Sequence, residues 1–573
     1  MITLRPLSSF VLLTIFISIQ YHSASGGLPG LPISAENGMV VSGHRLSSGI
    51  GIEILKNGGN AIDAAIATGF ALAVNLPAAG NIGGGGFMIV RTAQGEVAAF
   101  DFREKAPLAA HSEMFLDSGG NYDGDMNHQG HLSVGVPGTV AGFFLAHQKY
   151  GSISMSLLLE PAIKMAEEGF IVTRGLADSL KNNAENFRRY PGSVDVFFKK
   201  HGKTYEAGEV WRQPALAKSL RRIQRHGRKG FYEGETARLI TSEMQRHGGL
   251  ITQKDLMSYQ AVERVPVWGT YRNHQILSMP PPSSGGIALI QMLNILEAFD
   301  LNSMGFGSAR HLHLEIEAMR RAFADRARYL GDPDFNADIP VTQLLSKQRG
   351  AILRESIRLN WASKSNEKTF NGRTESNETT HYSVVDSYGN VVVVTYTLEG
   401  SYGSHIVPEG AGFLLNNEMG DFNPIPGITD REGLIGTAAN LVAPEKRMLS
   451  SMTPTIVLKD GRPFLLIGSP GGRSIINTVL QIIVNTIDFK MNISEAIRAS
   501  RLHHQWLPDQ VNIETDGFSL ETLERLRDMG HTIKPYKDGR RQGRAMGILL
   551  EPSSGIIFGA SDPRSADGAA IGY

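Results

Sequence analysis

A valine-rich hairpin that begins directly after a long polar run is the feature of this chain that most narrows its possible folds. Residues Asn360–Glu378 hold few apolar anchors, and their composition predicts a mobile surface segment. Immediately beyond stand Tyr382-Ser-Val-Val-Asp386, a turn at Ser387-Tyr-Gly-Asn390, and Val391–Leu398, with β-branched residues on both arms. The boundary falls on Thr379-Thr-His381. A cut between Glu378 and Thr379 would place a new α-amino group beside the threonine's own Oγ. With a reference pKa of about 7.7–8.0, that amine can serve as the base a hydroxyl needs to become a nucleophile. Taken alone, a threonine at a strand start is usually just β-propensity.

The rest of the chain reads as helices alternating with short strands. Asn60–Val74 is apolar nearly all round, which predicts a buried helix. Further helices are predicted at Thr139–Lys149, Met155–Glu168, Pro214–His226, Glu233–His247, Gly286–Phe299, Ala309–Tyr329, Ser474–Phe489 and Leu520–Met529. Strands are predicted at Phe87–Val90, Val97–Phe102, Pro454–Leu458 and Pro463–Ile467. Strands with helices laid over them make an α+β layered arrangement.

Composition removes several function classes. The 56 basic and 56 acidic side chains cancel, so no electrostatic case exists for a nucleic-acid partner. With no cysteine among 573 residues, disulfides, zinc ribbons, iron–sulfur clusters and a thiol nucleophile are excluded. Met1–Ser25 reads as a secretory signal: Arg5, the apolar run Phe10–Ile19, then small residues suited to cleavage. The apolar run is about half the ~20 residues that a spanning helix needs. A periplasmic or secreted protein, with no membrane attachment after signal removal, is the expectation.

Short motifs then accumulate in a fixed order. They are Asn81-Ile-Gly-Gly-Gly-Gly-Phe-Met88, Asp101-Phe-Arg-Glu-Lys-Ala-Pro107, Val134-Gly-Val-Pro-Gly138 and Tyr329-Leu-Gly-Asp-Pro-Asp-Phe335, followed by Thr379-Thr-His-Tyr-Ser-Val-Val-Asp386. After these come Leu414-Leu-Asn-Asn-Glu-Met-Gly-Asp-Phe422, Leu449-Ser-Ser-Met-Thr-Pro-Thr455, Gly468-Ser-Pro-Gly-Gly472, Arg501-Leu-His-His-Gln-Trp-Leu-Pro508 and Gly559-Ala-Ser-Asp-Pro-Arg564. Together they resemble the γ-glutamyltranspeptidases, or glutathione hydrolases, over essentially everything after the signal.

The resemblance implies a four-layer αββα sandwich of the N-terminal nucleophile hydrolase type. It implies one precursor that cuts itself into a large subunit, Gly26–Glu378 with a polar tail at 359–378, and a small subunit, Thr379–Tyr573, which stay associated. Thr379 would be both the cutting and the catalytic nucleophile. Arg103, matching the Arg of the family's DFRE motif, would bind the donor's α-carboxylate, and a planar guanidinium suits a carboxylate. Ser450 and Ser451 would add hydrogen bonds to that carboxylate, while Glu418 and Asp421 would hold the α-ammonium. Gly471 and Gly472 would form the oxyanion hole, since glycine permits the close approach that backbone donors need. Thr397 would orient the nucleophile. Glu399 stands where many relatives carry Asn at the substrate's amino end. In the lid-like stretch Asn423–Arg447, Glu432 stands where some relatives carry Tyr. Donors would be glutathione or other γ-glutamyl compounds, and acceptors water, an amino acid or a dipeptide. Neither cofactor nor metal is implied.

Other features have plainer readings. His311-Leu-His313 lies in a helical pattern where i and i+2 point apart, and His503 and His504 are adjacent. Gly83–Gly86 lacks the lysine of a phosphate loop, and Ile467 breaks a G-x-S-x-G elbow at Ser469. Three rival functions remain. A glutaryl or cephalosporin-type acylase would not need Asp421, Glu418 and Glu399, because its substrate lacks an ammonium. A polyglutamate depolymerase would not welcome three carboxylates, and a catalytically dead binding protein would not need Thr379 with Gly471-Gly472.

Overall fold

The hairpin lies at the centre of the fold. In a computed structural model of the chain, the described residues are 31–366, 379–427, 429, 435–537 and 539–573. The signal Met1–Ser25, Glu378 and Glu432 lie outside them. Strand Thr380–Val385 pairs with Val391–Thr397 from Thr380 opposite Tyr396 to Val385 opposite Val391. The turn closes on Asp386, whose carboxylate accepts from the Tyr388 and Asn390 amides at 3.0 and 2.9 Å.

Two seven-stranded sheets, with antiparallel pairing throughout, stack face to face. The first runs in the order Ala569–Gly572, Met39–Ser42, Thr380–Val385, Val391–Thr397, Gly85–Arg91, Val97–Phe102, Val262–Arg264. The second runs Ile33–Ala35, Ile557–Ser561, Met546–Leu550, Arg462–Gly468, Thr455–Lys459, His274–Ser278, Val267–Tyr271. The four consecutive valines show why the central strand sits between layers. Val391 and Val393 enter the core shared with the second sheet, and Val392 and Val394 enter the core under the helices. Side chains alternate along a strand, so burial on both faces demands an unbroken apolar run.

Helices Arg45–Lys56, Ala61–Asn75 and Thr139–Tyr150 cover the outer face of the first sheet. Helices Gly285–Leu296, Ala309–Tyr329 and Ser474–Ile487 pack on the second side, completing an αββα sandwich. Ala61–Asn75 is buried along its whole length and starts in a capping box between Asn60 and Asp63. Its all-round apolar character is thus explained by packing on every side.

The described part of the polar stretch, 359–366, is more firmly held than its composition predicts. Trp361 is exposed, yet the Ser363 amide donates to Glu317 at 3.1 Å and the Ser365 amide to Asp509 at 3.0 Å. Arg320 donates to Ser365 Oγ at 2.6 Å. Hydrogen bonds to buried charges do what apolar anchors would otherwise do.

Candidate active site

Strand register brings several of the expected site residues to one end of the first sheet. Thr397 is opposite Gly85, Tyr396 is opposite both Thr380 and Gly86, and Gly86 is opposite Phe102. Thr379, Thr397 and Arg103 therefore lie side by side at strand ends although they are far apart in sequence. Thr379 is buried, and its hydroxyl donates to Thr397 Oγ1 at 3.4 Å. Thr397 Oγ1 also accepts from the Glu399 amide at 2.8 Å, and the Thr397 carbonyl accepts from Asn81 Nδ2 at 2.8 Å. A threonine hydroxyl held in this way is positioned to orient its neighbour.

A strand of the second sheet that packs on the hairpin leads to the glycine turn. Strand Arg462–Gly468 leads into Gly471 and Gly472, with φ of +135° and +52°. Both angles lie in the region that favours glycine. Their carbonyls accept the Ser474 and Ile475 amides and so close the entry to helix Ser474–Ile487. Gly468 is required for a different reason: a Cβ there would sit 2.2 Å from His381 Nδ1. His381 is buried between the Thr395 and Ser383 hydroxyls at 2.8 and 3.1 Å, and burial pulls its pKa down to about 3. It is neutral at physiological pH.

Arg103 follows strand Val97–Phe102 and is fully buried. Its guanidinium contacts Glu418 and Asp421 directly, and Glu104 at 3.5 Å. It also donates to the Met448 and Leu449 carbonyls at 3.3 and 3.4 Å. Burial works against the charge of Arg103, but the pull of Glu418, Asp421 and Glu104 outweighs it and holds the guanidinium ionised. Burial pushes Glu104 up to about 8 against the pull of Arg103, and raises Glu418 well above the usual carboxylate range. The Glu418 carboxylate touches Arg103 without hydrogen-bond geometry, so the contact is Coulombic. One cation among three acids leaves negative charge uncompensated unless the acids take up protons. The anchors expected to act separately, Arg103 on a carboxylate and Glu418 with Asp421 on an ammonium, are thus in mutual contact.

The remaining expected residues surround this pair. The Ser450 and Ser451 side chains lie on the loop before strand Thr455–Lys459, with Ser450 Oγ accepting the Met452 amide at 3.1 Å. Glu399 adopts φ +77°, where asparagine is more at ease than glutamate, and its carboxylate meets Asn417 Nδ2, with His128 Nδ1 at 3.7 Å. A cleft of about 260 Å³ opens beside Asp421, Arg473, Tyr122 and His128. A larger one of about 530 Å³ runs past His128, Arg189, Gly400 and Asn417.

Sequence reading missed three supporting residues. Arg326 donates to Ser451 Oγ and Ser284 Oγ at 2.9 Å each, and Ser284 Oγ donates to the Ser450 carbonyl at 2.7 Å. Asn440 ties the Asp421 carbonyl, at 2.7 Å, to the Leu449 amide, at 2.8 Å. Glu104 was visible within Asp101-Phe-Arg-Glu104, but neither Arg326 nor Asn440 lies in a pattern that would single it out. His313, expected to have a structural role, meets Glu317 and His531 and not His311.

Comparison with known proteins gives a consistent picture. The family profile described as Gamma-glutamyltranspeptidase matches residues 47–572. The glutathione hydrolase proenzyme of Escherichia coli (strain K12) is 48% identical over 545 residues, spanning 95% of this chain and 93% of the relative. A cephalosporin acylase structure from Bacillus halodurans superposes with TM-score 0.84 at 28% identity, covering 98% of this chain and 99% of that one. The structure of Helicobacter pylori γ-glutamyltranspeptidase gives 0.55 at 48% identity, covering 56% of this chain and 91% of that one.

Proposed function

The chain belongs to the γ-glutamyltranspeptidase family, and from that premise we propose that it is a γ-glutamyltransferase and glutathione hydrolase working through Thr379. The observation that carries the residue assignment is the meeting of the Thr379 and Thr397 hydroxyls at the sheet end that also presents Arg103. The precursor cuts itself between Glu378 and Thr379: Oγ attacks the Glu378 carbonyl, and water resolves the resulting ester. Large and small subunits, Gly26–Glu378 and Thr379–Tyr573, remain together.

In the mature enzyme the freed α-amino group takes the proton of Oγ as Oγ attacks the γ-carbonyl of the donor. The Gly471 and Gly472 amides receive the developing oxyanion. The amine leaves with the proton, and a γ-glutamyl ester stays on Thr379. Water, an amino acid or a dipeptide then takes the acyl group. The donor's zwitterionic head suits the charged pocket: its carboxylate shares Arg103, Ser450 and Ser451, and its ammonium supplies the cation missing among Glu418, Asp421 and Glu399. An exported protein fits the leader at Met1–Ser25, and among the described residues no helix is long and apolar enough to cross a membrane.

The likeness to a cephalosporin acylase keeps a glutaryl donor as the second reading. Three carboxylates around one guanidinium favour a donor that carries an ammonium. Kinetics on a chromogenic γ-glutamyl anilide, with and without a dipeptide acceptor, test the proposal. Turnover stimulated by the acceptor is expected, and cleavage of only the matching glutaryl anilide would overturn it.

A further inference from the structure

His131, Glu243 and His247 form a cluster outside the active site. Glu243 and His247 are four residues apart on helix Gly234–His247 and so share a face. His131 arrives from the short turn His131–Ser133. Glu243 Oε1 lies 3.0 Å from His131 Nε2 and 3.6 Å from His247 Nε2, and the two imidazoles stack with centroids 4.8 Å apart. The three potential ligand atoms lie within 4.8 Å of one another, and the stacked rings must turn about their side-chain torsions to point both nitrogen lone pairs at one ion. Tetrahedral zinc, with bonds of roughly 2.0–2.2 Å, sets its ligand atoms about 3.3 Å apart, a spacing that falls between the two measured here.

Charge and access agree with this geometry. Glu243 is buried and His247 is 44% exposed, so the cluster is closed beneath and open to solvent at one side. The other carboxylate oxygen, Oε2, is held by Arg246 at 3.2 Å, and Arg246 is itself countered by Glu409 at 3.3 Å. Oε1 therefore serves the two histidines while the charge of Arg246 is already balanced. The second histidine cluster, His313, Glu317 and His531, differs on each count: it is buried, and Arg320 and Arg321 already neutralise Glu317.

We propose that His131, Glu243 and His247 bind a late first-row divalent cation of the zinc class, with water in the open position. Two imidazoles and a carboxylate suit zinc, nickel or copper over calcium or magnesium. Such an ion would fasten the turn at residue 131 to helix Gly234–His247, and this turn continues from Asn127 and His128 in the wall of the cleft beside Asp421.

The test uses the untagged, purified mature protein, with large and small subunits together, stripped with chelator and dialysed against Zn²⁺. One zinc per chain by elemental analysis is expected, falling at least about tenfold in affinity in His247→Ala and in Glu243→Gln. His247 is solvent-exposed at the helix end, so its variant should fold, and an unchanged melting temperature without metal checks this. Co²⁺ should give the intense visible absorption of a tetrahedral site. Absence of zinc from wild type, or equal uptake by a folded His247→Ala, would overturn the assignment.

Discussion

Around Thr379 the polar groups are hydroxyls, backbone amides and one neutral imidazole, whereas around Arg103 a single guanidinium sits among three carboxylates. The two regions adjoin along one sheet end but are built from opposite materials. The difference suits the tasks proposed for them. A nucleophile that relies on its own α-amino group is served by neighbours that hold geometry without competing for its proton. A pocket that recognises a zwitterion gains from a charge imbalance that the ligand corrects.

Removing the nucleophile should break the first region completely. Thr379→Ala is expected to remain a single uncut chain with no measurable turnover, read on a denaturing gel and with a γ-glutamyl anilide. The second region should fail by degrees. Arg103→Ala leaves Glu418, Asp421 and Glu104 without their cation, a penalty of about 2–5 kcal/mol. A fall in kcat/KM of on the order of a hundredfold or more should follow, with a lower melting temperature and largely intact maturation. Near-normal kinetics would mean that the donor carboxylate binds elsewhere.

On the proposed function, the charge imbalance also sets specificity. A γ-glutamyl anilide should be preferred over the matching glutaryl anilide by about a hundredfold, or roughly 2.7 kcal/mol. Asp421→Asn should narrow that ratio, because a neutral amide no longer requires a cation. Equal rates in wild type would favour the acylase reading.

Acid should sharpen the contrast through His381. Its pKa is depressed by burial from 6.5 to about 3, so the stability it contributes is present above pH 6.5 and is lost as pH falls toward 3. His381→Asn should flatten the acid limb of a melting-temperature profile, by at most ~1.4 kcal/mol per pH unit. The smallest effect is expected at Glu399→Asn. Relief of the left-handed backbone should stabilise by about 1 kcal/mol, read as a modest rise in melting temperature.

Patterns that depend on local burial are legible in the sequence. Helices Met155–Glu168, Pro214–His226 and Ala309–Tyr329 and strand Val97–Phe102 fall where periodicity predicts them. The hairpin Val267–Tyr271 to His274–Ser278 was missed. Its two-residue turn, Arg272-Asn273, holds both residues at positive φ without the glycine that usually marks such turns. The short edge strands Ile33–Ala35 and Ala569–Gly572 carry too few residues to show alternation. In the candidate active site, motif order points to Thr379, Thr397, Arg103 and Asp421. Their convergence depends on strand register across hundreds of residues, and the contact of Arg103 with its acidic neighbours is tertiary. The roles of Arg326 and Asn440 act through other groups and leave no local trace.

The most direct test of the central claim is N-terminal sequencing of the fragments in the purified, active enzyme. Two bands of roughly 38 and 21 kDa are expected in proportion to chain length, with the smaller beginning Thr-Thr-His-Tyr at Thr379. A single uncut chain with full activity, or a small fragment beginning at another residue, would contradict the assignment of Thr379 as the N-terminal nucleophile.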